Sequence, residues 1–334
     1  MFGYLRFFLA FLVLLSHADI RFYGLNPGVI AVVIFYILAG YVVSRLYEEI
    51  IPNTKYKIFY FYKDRLWRIF PLYLYTLTLT MLFLMATSYG NPSFEPLKIL
   101  ANLCIIPLNY YMYVDVTILK DPNWWLIPPA WSLGTELQAY LLLPFVLTCK
   151  KVKYAAVSMS LLVYTLANAS VLNADYFAYR LIVGVFFIFI VGTSIQKAHS
   201  KNSKKLSRFD WHFPTLLWVS VLLLGAVFWI THTLGAAYAK ETLTGLLVGI
   251  PLIVTLSKNN YKLPFDKHLG ALSYGIFLSH FLAMWLLAYG GFKPNPSWGY
   301  LTSLTALSLI IASIGVLFVE KNLHKWSFSH KISR

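Results

Sequence analysis

The chain has 334 residues, of which 59% are hydrophobic, 18% aromatic and only 12% charged. A soluble globular domain carries about 25% charged residues, so this composition excludes one. The formal net charge of +15 would suggest nucleic acid in a soluble chain, but here it follows from membrane topology, and no nucleic-acid partner is expected.

Apolar runs recur from end to end, each long enough to cross about 30 Å of hydrocarbon. They lie near residues 3–20, 28–46, 69–87, 131–148, 153–172, 179–196, 213–232, 240–256, 269–289 and 299–319. No polar block is large enough for a separate soluble domain. The expectation is one all-α integral membrane domain over 1–334, a bundle of about ten transmembrane helices.

The first segment, "MFGYLRFFLAFLVLLSHA", has a basic start, an apolar core at 7–15 and the small-x-small pattern Ser16-His17-Ala18. That pattern also fits a cleaved signal peptide, and hydropathy alone leaves both options open. Residues 52–65 are rich in Lys and Tyr and read as a cytoplasmic interfacial helix leading into the third span. Residues 99–113, "ILANLCIIPLNYYMY", are apolar but short and broken by Pro107. They read as a re-entrant or interfacial element on the outer side. That makes 88–130, ending in "DPNWWLIPPAW", the longest external connection, placed to cover or line a site.

With the N-terminus inside, 22 of the 28 Lys and Arg residues fall on the cytoplasmic side. Only Arg21, Lys98, Lys120, Arg180, Lys240 and Lys293 lie outside. This is the bias of the positive-inside rule, with both termini cytoplasmic. Cys104 and Cys149 suggest no disulfide framework, and the absence of CxxC or HxxxH spacings gives a metal site little support.

Ionisable residues within spans cost roughly 2.5–3.5 kcal/mol at mid-helix, so each is a functional candidate. Arg6 and His17 share the first span. Eleven residues at about 100° each come within about 20° of three full turns, so both face one way, separated by about 16 Å along the axis. Glu136 lies five residues into the fourth span, expected at a depth similar to His17. His280 falls midway along the ninth span, on the same helix as Ser273, Tyr274 and Ser279. Arg65 and Arg68, in "FYFYKDRLWRIFPLYLY", are three apart at the inner rim and share a helix face. Bland readings stand beside these. Arg6 can snorkel, Arg65 and Arg68 can be orientation charges, and either histidine can be a packed interior residue. The set is more informative than its members: a basic rim, a base-capable His toward the outer side and a carboxylate beside it suit transfer from an anionic cytoplasmic donor to an outer acceptor.

Six segments in order resemble the acyltransferase-3 family. They are Arg6-x10-His17; "PGVIAVVIFYILAGYVVS", with Ala39 where the family usually has Ser; "YKDRLWRIFPLY"; "WSLGTELQAYLLLP"; "LGALSYGIFLSH"; and "VEKN" at 319–322, with Asn322 where the family has Pro. The resemblance implies a retained first helix and a membrane-bound O-acyltransferase, expected in a bacterial cytoplasmic (inner) membrane. The donor would be an acyl-CoA, usually acetyl-CoA, and the acceptor a hydroxyl of a surface glycan such as a polysaccharide or lipopolysaccharide. Arg6, Arg65 and Arg68 would bind the donor. His17 would act as general base or be acylated itself, with Glu136 orienting it. Ser132, Tyr274 and His280 are candidates for binding the acceptor. Many family members carry an SGNH esterase-like domain; with fifteen residues after its last span, this chain is expected to act alone or with a separate partner chain. The rival readings are a glycan exporter or other transporter, for which no paired broken helices or inverted repeat speak, and a non-catalytic scaffold.

Overall fold

Asn26 and Pro27 start a largely buried helix in the way helix starts are usually built: the Asn26 side chain accepts from the Gly28 and Val29 amides, and Pro27 occupies the first turn, where its missing N–H costs nothing. The computed structural model describes residues 1–200, 207–231, 235–258, 263–292, 294 and 296–320. The Lys-rich stretch 201–206, Lys262, Lys293, Asn322 and the basic tail 321–334 lie outside the described residues.

Among the described residues there are eleven α-helices: α1 (Phe2–His17), α2 (Pro27–Arg45), α3 (Lys57–Thr87), α4 (Pro96–Cys104), α5 (Ala130–Thr148), α6 (Lys150–Asn168), α7 (Ile182–His199), α8 (Arg208–Thr231), α9 (Ala239–Lys258), α10 (Asp266–Tyr289) and α11 (Trp298–Gly315). A two-stranded hairpin, β1 (Leu119–Lys120) and β2 (Asn123–Trp124), lies between α4 and α5. Seven helices, three of them counted with an adjoining π-turn, are long and apolar enough to cross a membrane: α2, α3 and α7–α11. This is a multi-pass membrane protein. The apolar α1 is shorter, and α1, α5 and α6 coincide with three further expected segments.

One detail differs from the sequence reading. Residues 57–87 form one continuous helix through Pro71, without a separate interfacial helix at 52–65. Residues 96–110 form the nine-residue α4, then a 3₁₀ turn (Ile106–Tyr110), with Ile105 between them at φ 66°. At 1.5 Å per residue α4 spans about 14 Å, half a hydrocarbon core.

The chain packs as two compact units, neither continuous in sequence. The first holds Arg21–Tyr62 and Gln138–Leu263. Its centre is the contact of α2 with α7. A Cβ on Gly40 would stand 1.9 Å from the Phe189 carbonyl oxygen, and one on Gly192 would stand 1.9 Å from that of Ile37. The two backbones touch, as small residues allow where lipid gives no hydrophobic drive for association. Gly40 is therefore a packing residue. Two buried polar pairs lie in this unit: Ser44 Oγ donates to Gln196 Oε1 (2.8 Å), and Lys153 Nζ donates to Asp210 (2.8 Å). Asp210 also accepts from Ser194 (3.1 Å), so the buried ion pair keeps its lone pairs occupied, the condition for such a pair to be tolerated.

The second unit holds Phe2–Ile20, Lys63–Leu137 and the chain from Pro264 onward. Here α1 is an integral element, burying Leu9, Ala10, Val13 and Leu14. Its first turn is capped by Asp266, whose Oδ1 accepts from the Gly3 amide at 3.0 Å and the Tyr4 amide at 3.3 Å. Gly3 is required there, since a Cβ would fall 1.7 Å from the Asp266 carbonyl oxygen. α11 packs against α10 where Gly275 meets Ala312 and against α3 where Gly315 meets Leu72 and Tyr75. Asn102, fully buried, ties down the long connection. Its Nδ2 donates to the carbonyls of Lys98 and Val116, its Oδ1 accepts from the Leu126 amide, and its own carbonyl accepts from the Tyr73 hydroxyl.

Candidate active site

All eight sequence-chosen residues lie in the second unit. Because Gly3 meets Asp266 at one end and His17 meets His280 at the other, α1 and α10 run side by side in the same direction. The two imidazoles stack with centroids 5.3 Å apart and planes 26° from parallel. His17, in the last turn of α1, is exposed, whereas His280 is fully buried. Phe281 presents an edge to His17 at 4.8 Å and packs at 5.4 Å against Trp124 of β2, bringing the long connection up to the histidines.

His280 is held by its own helix. Its Nδ1 is 3.1 Å from the Ile276 carbonyl, which can only accept, so Nδ1 carries the proton. Nε2 then presents a lone pair, buried and without a protein partner. A second proton there would leave an uncompensated buried cation, which is far costlier.

At the opposite end of the site stand the arginines. Arg65 is buried (8% exposed) and pairs with Asp64, itself fully buried. Arg68 pairs with Glu320, at the end of the π-turn Val316–Glu320 that follows α11. Both arginines thus hold carboxylates, which an incoming phosphate would have to join or displace. Arg6 is half-buried on α1.

Tyr274 connects the two ends. Its hydroxyl donates to the Ile69 carbonyl (3.1 Å), one residue beyond Arg68, and the charges of Glu136, Arg68 and Glu320 all act on it. Six residues further along α10, about 9 Å, is His280. Glu136, expected level with His17, is therefore also within Coulombic reach of the Tyr274 hydroxyl toward the arginine end. Ser132 is buried and donates to Pro129 within its own turn (3.1 Å), leaving its hydroxyl lone pairs as acceptors. The neighbouring Thr135 accepts from Asn109 Nδ2 (2.7 Å), which fixes α5 against the 3₁₀ turn. Among the described residues no cluster of three His, Cys, Asp or Glu side chains is placed to hold a metal.

A family model described as an acyltransferase domain, acyltransferase-3, matches residues 2–317. The chain belongs to the acyltransferase-3 family. It is 43% identical over 218 residues to an uncharacterized protein of Aquifex aeolicus (strain VF5), covering 62% of this chain and 93% of that one. It is 22% identical over 249 residues to an uncharacterized protein of Haemophilus influenzae (strain ATCC 51907 / DSM 11121 / KW20 / Rd), covering 69% and 99%. No solved structure matches it. As an acyltransferase-3 protein, it is a membrane acyltransferase.

Sequence reasoning missed Asp64, Glu320, Phe281 and Trp124 as members of this constellation. The first two were legible as the acidic residues nearest the arginines in "KDR" and in the terminal "VE". Trp124 lies in "DPNWWLIPPAW", the stretch expected to cover or line a site, whereas Phe281 carries no sequence signal beyond the general abundance of such residues.

Proposed function

We propose that this acyltransferase-3 protein transfers an acetyl group from cytoplasmic acetyl-CoA to a hydroxyl of an extracytoplasmic glycan, a surface polysaccharide or lipopolysaccharide. It would do so from a bacterial inner membrane, through ten spans (α1–α3 and α5–α11), with both termini cytoplasmic and α4 on the outer face. The observation that carries this reading is the stacked His17–His280 pair joined along α10, through Tyr274, to the carboxylate-paired Arg68.

In this reading Arg6, Arg65 and Arg68 grip the donor phosphates at the cytoplasmic rim, where guanidinium forks match phosphate oxygens and the nucleotide stays in water. The slender thioester arm then follows α1 and α10 past Tyr274. Arg6 and His17 are about 16 Å apart along the helix. A ring nitrogen of His17 takes the proton from the glycan hydroxyl as its oxygen attacks the thioester carbonyl carbon. The C–O bond forms, the C–S bond breaks, and the imidazolium returns the proton to the departing sulfur. Ester and free thiol result, with no net proton change. His280 Nε2 accepts a hydrogen bond from the acceptor, and Glu136 offsets the transient positive charge, as a carboxylate does for an imidazolium in acyl transfer. Ser132 lies beside that acceptor path.

Mass spectrometry of surface polysaccharide from cells with and without this protein tests the reading. Acetyl esters that depend on the protein, and on His17, are expected. An unchanged ester pattern together with solute uptake by the protein would replace it with a transport function.

A further inference from the structure

The connection between α4 and α5 contains a cavity of about 430 Å³ lined by residues of 111–125. That volume falls within the usual range for small-ligand sites, which are mostly apolar walls with a few placed polar groups. The walls here include Tyr111, Trp124 and Trp125, with Tyr111 and Trp125 rings 4.9 Å apart and the two tryptophans 5.6 Å apart. The polar groups are Asp115, Thr117 and Asn123.

These side chains suit one chemistry in particular. A pyranose ring has faces of C–H bonds that lie on aromatic rings, and a rim of hydroxyls that bond to carboxylate and amide groups. Asp115 is fixed for that role. Its Oδ1 accepts from the Thr117 amide at 3.0 Å and its Oδ2 from Lys98 Nζ at 2.8 Å. The Lys98 hydrogen bond, with those from Thr117, holds its carboxyl down at about 2, so it is anionic at any working pH. Asn123 is exposed and offers both a donor and an acceptor. Trp125, 3% exposed, has an indole Nε1–H buried without a hydrogen-bond partner, in a residue type that usually finds one. Two aromatic rings link the cavity to the proposed base: Trp124 lines it and packs on Phe281 at 5.4 Å, and Phe281 packs on His17 at 4.8 Å.

We infer that this cavity is the acceptor subsite, binding a sugar ring of the glycan between its aromatic walls and Asp115 and Asn123, so that a hydroxyl of that or the adjoining residue reaches His17. The inference rests on the proposed glycan acyltransferase reading but is separable from it. The test uses the full chain in lipid nanodiscs. The probe is surface polysaccharide from cells lacking the protein, used once with its lipid and once after mild acid removes the lipid. Saturation-transfer NMR reads sugar contact directly, and acetyl transfer reads KM and kcat.

Asn123→Ala and Asp115→Asn should each raise the acceptor KM and weaken sugar binding by roughly five- to tenfold, the loss of about one hydrogen bond, with the KM for acetyl-CoA unchanged. Equal effects with and without lipid place the recognition in the sugar; effects seen only with lipid attached would overturn that, assigning the cavity to a headgroup. Wild-type binding and KM in both variants would show a crevice only. If sugar binding depends on the two residues while no acetyl transfer occurs, the subsite stands and the catalytic reading falls.

Discussion

Glu320→Gln separates a donor-binding arginine from one that merely orients the chain. Arg68 holds the Glu320 carboxylate, so a phosphate arriving at Arg68 competes with a resident anion. The side chains are 21% and 9% exposed respectively. Exposed ion pairs contribute about 0.2–1 kcal/mol, and breaking a buried one costs about 3–5 kcal/mol. An intermediate pair falls near 1–2 kcal/mol. Glutamine keeps an oxygen to accept from Arg68 but removes the charge, so donor affinity should rise about five- to thirtyfold. Arg68→Ala should move affinity the other way, and Arg68→Lys should recover only part, having lost the fork. Calorimetric titration of acetyl-CoA onto the nanodisc protein, at low and high salt, measures this, and the gain should shrink as salt screens the phosphates. If Glu320→Gln weakens donor binding in step with Arg68→Ala, the carboxylate positions the guanidinium instead of competing for it, and the argument from competition fails.

His17→Ala should keep acetyl-CoA binding while product formation falls by about 10²–10⁴-fold, the usual span of acid–base catalysis; a folded variant with the wild-type rate would move the base to His280. Gly40→Ala places a methyl 1.9 Å from the Phe189 carbonyl oxygen, so its melting temperature should drop by several degrees, as for about 1–3 kcal/mol of overpacking. Gly225→Ala, with open space around it, is the control and should melt like wild type. Asn102→Ala removes three side-chain hydrogen bonds and should destabilise by about 2–4 kcal/mol, read as faster proteolysis within 88–130 at unchanged donor affinity. An impermeant thiol reagent on intact cells should label a cysteine placed at Asn123 but not one at Ser203, and the reverse pattern would invert the proposed topology.

Much of the architecture was legible because the bilayer makes it so. A segment that must satisfy its own backbone in hydrocarbon has to be a helix of known length, and hydropathy alone located the long helices to within about five residues at each end, the start of α3 excepted. What failed was local. The Lys/Tyr-rich run at 52–65 read as an interfacial helix, but α3 simply begins at Lys57 and carries on through Pro71. The pairing of helices was not legible either. Nothing in the sequence says that Gly40 faces Phe189 or that α1 packs beside α10, because a helix apolar on every side has no marked face.

The site was half legible, and the missing half follows a rule. Sequence reading picked out His17, His280, Tyr274 and the arginines as candidates, and the structure gathers them in one unit. That reading did not find their counter-ions. Adjacent positions on a helix point about 100° apart, so Asp64 looked unrelated to Arg65, yet the long arginine reaches back to it. Glu320 is 252 residues from Arg68. A charge balance would have found both: burying a guanidinium without a partner is prohibitive, and the chain has only 13 acidic residues to supply one. Asking which acid each membrane-embedded arginine could meet leaves few candidates, and the one in the terminal "VE" lies at the end of the last expected span, on the side where the arginines enter. The carboxylates that make the arginines tolerable in the membrane are thus the groups a phosphate has to challenge, which ties the folding of this rim to the affinity proposed for it.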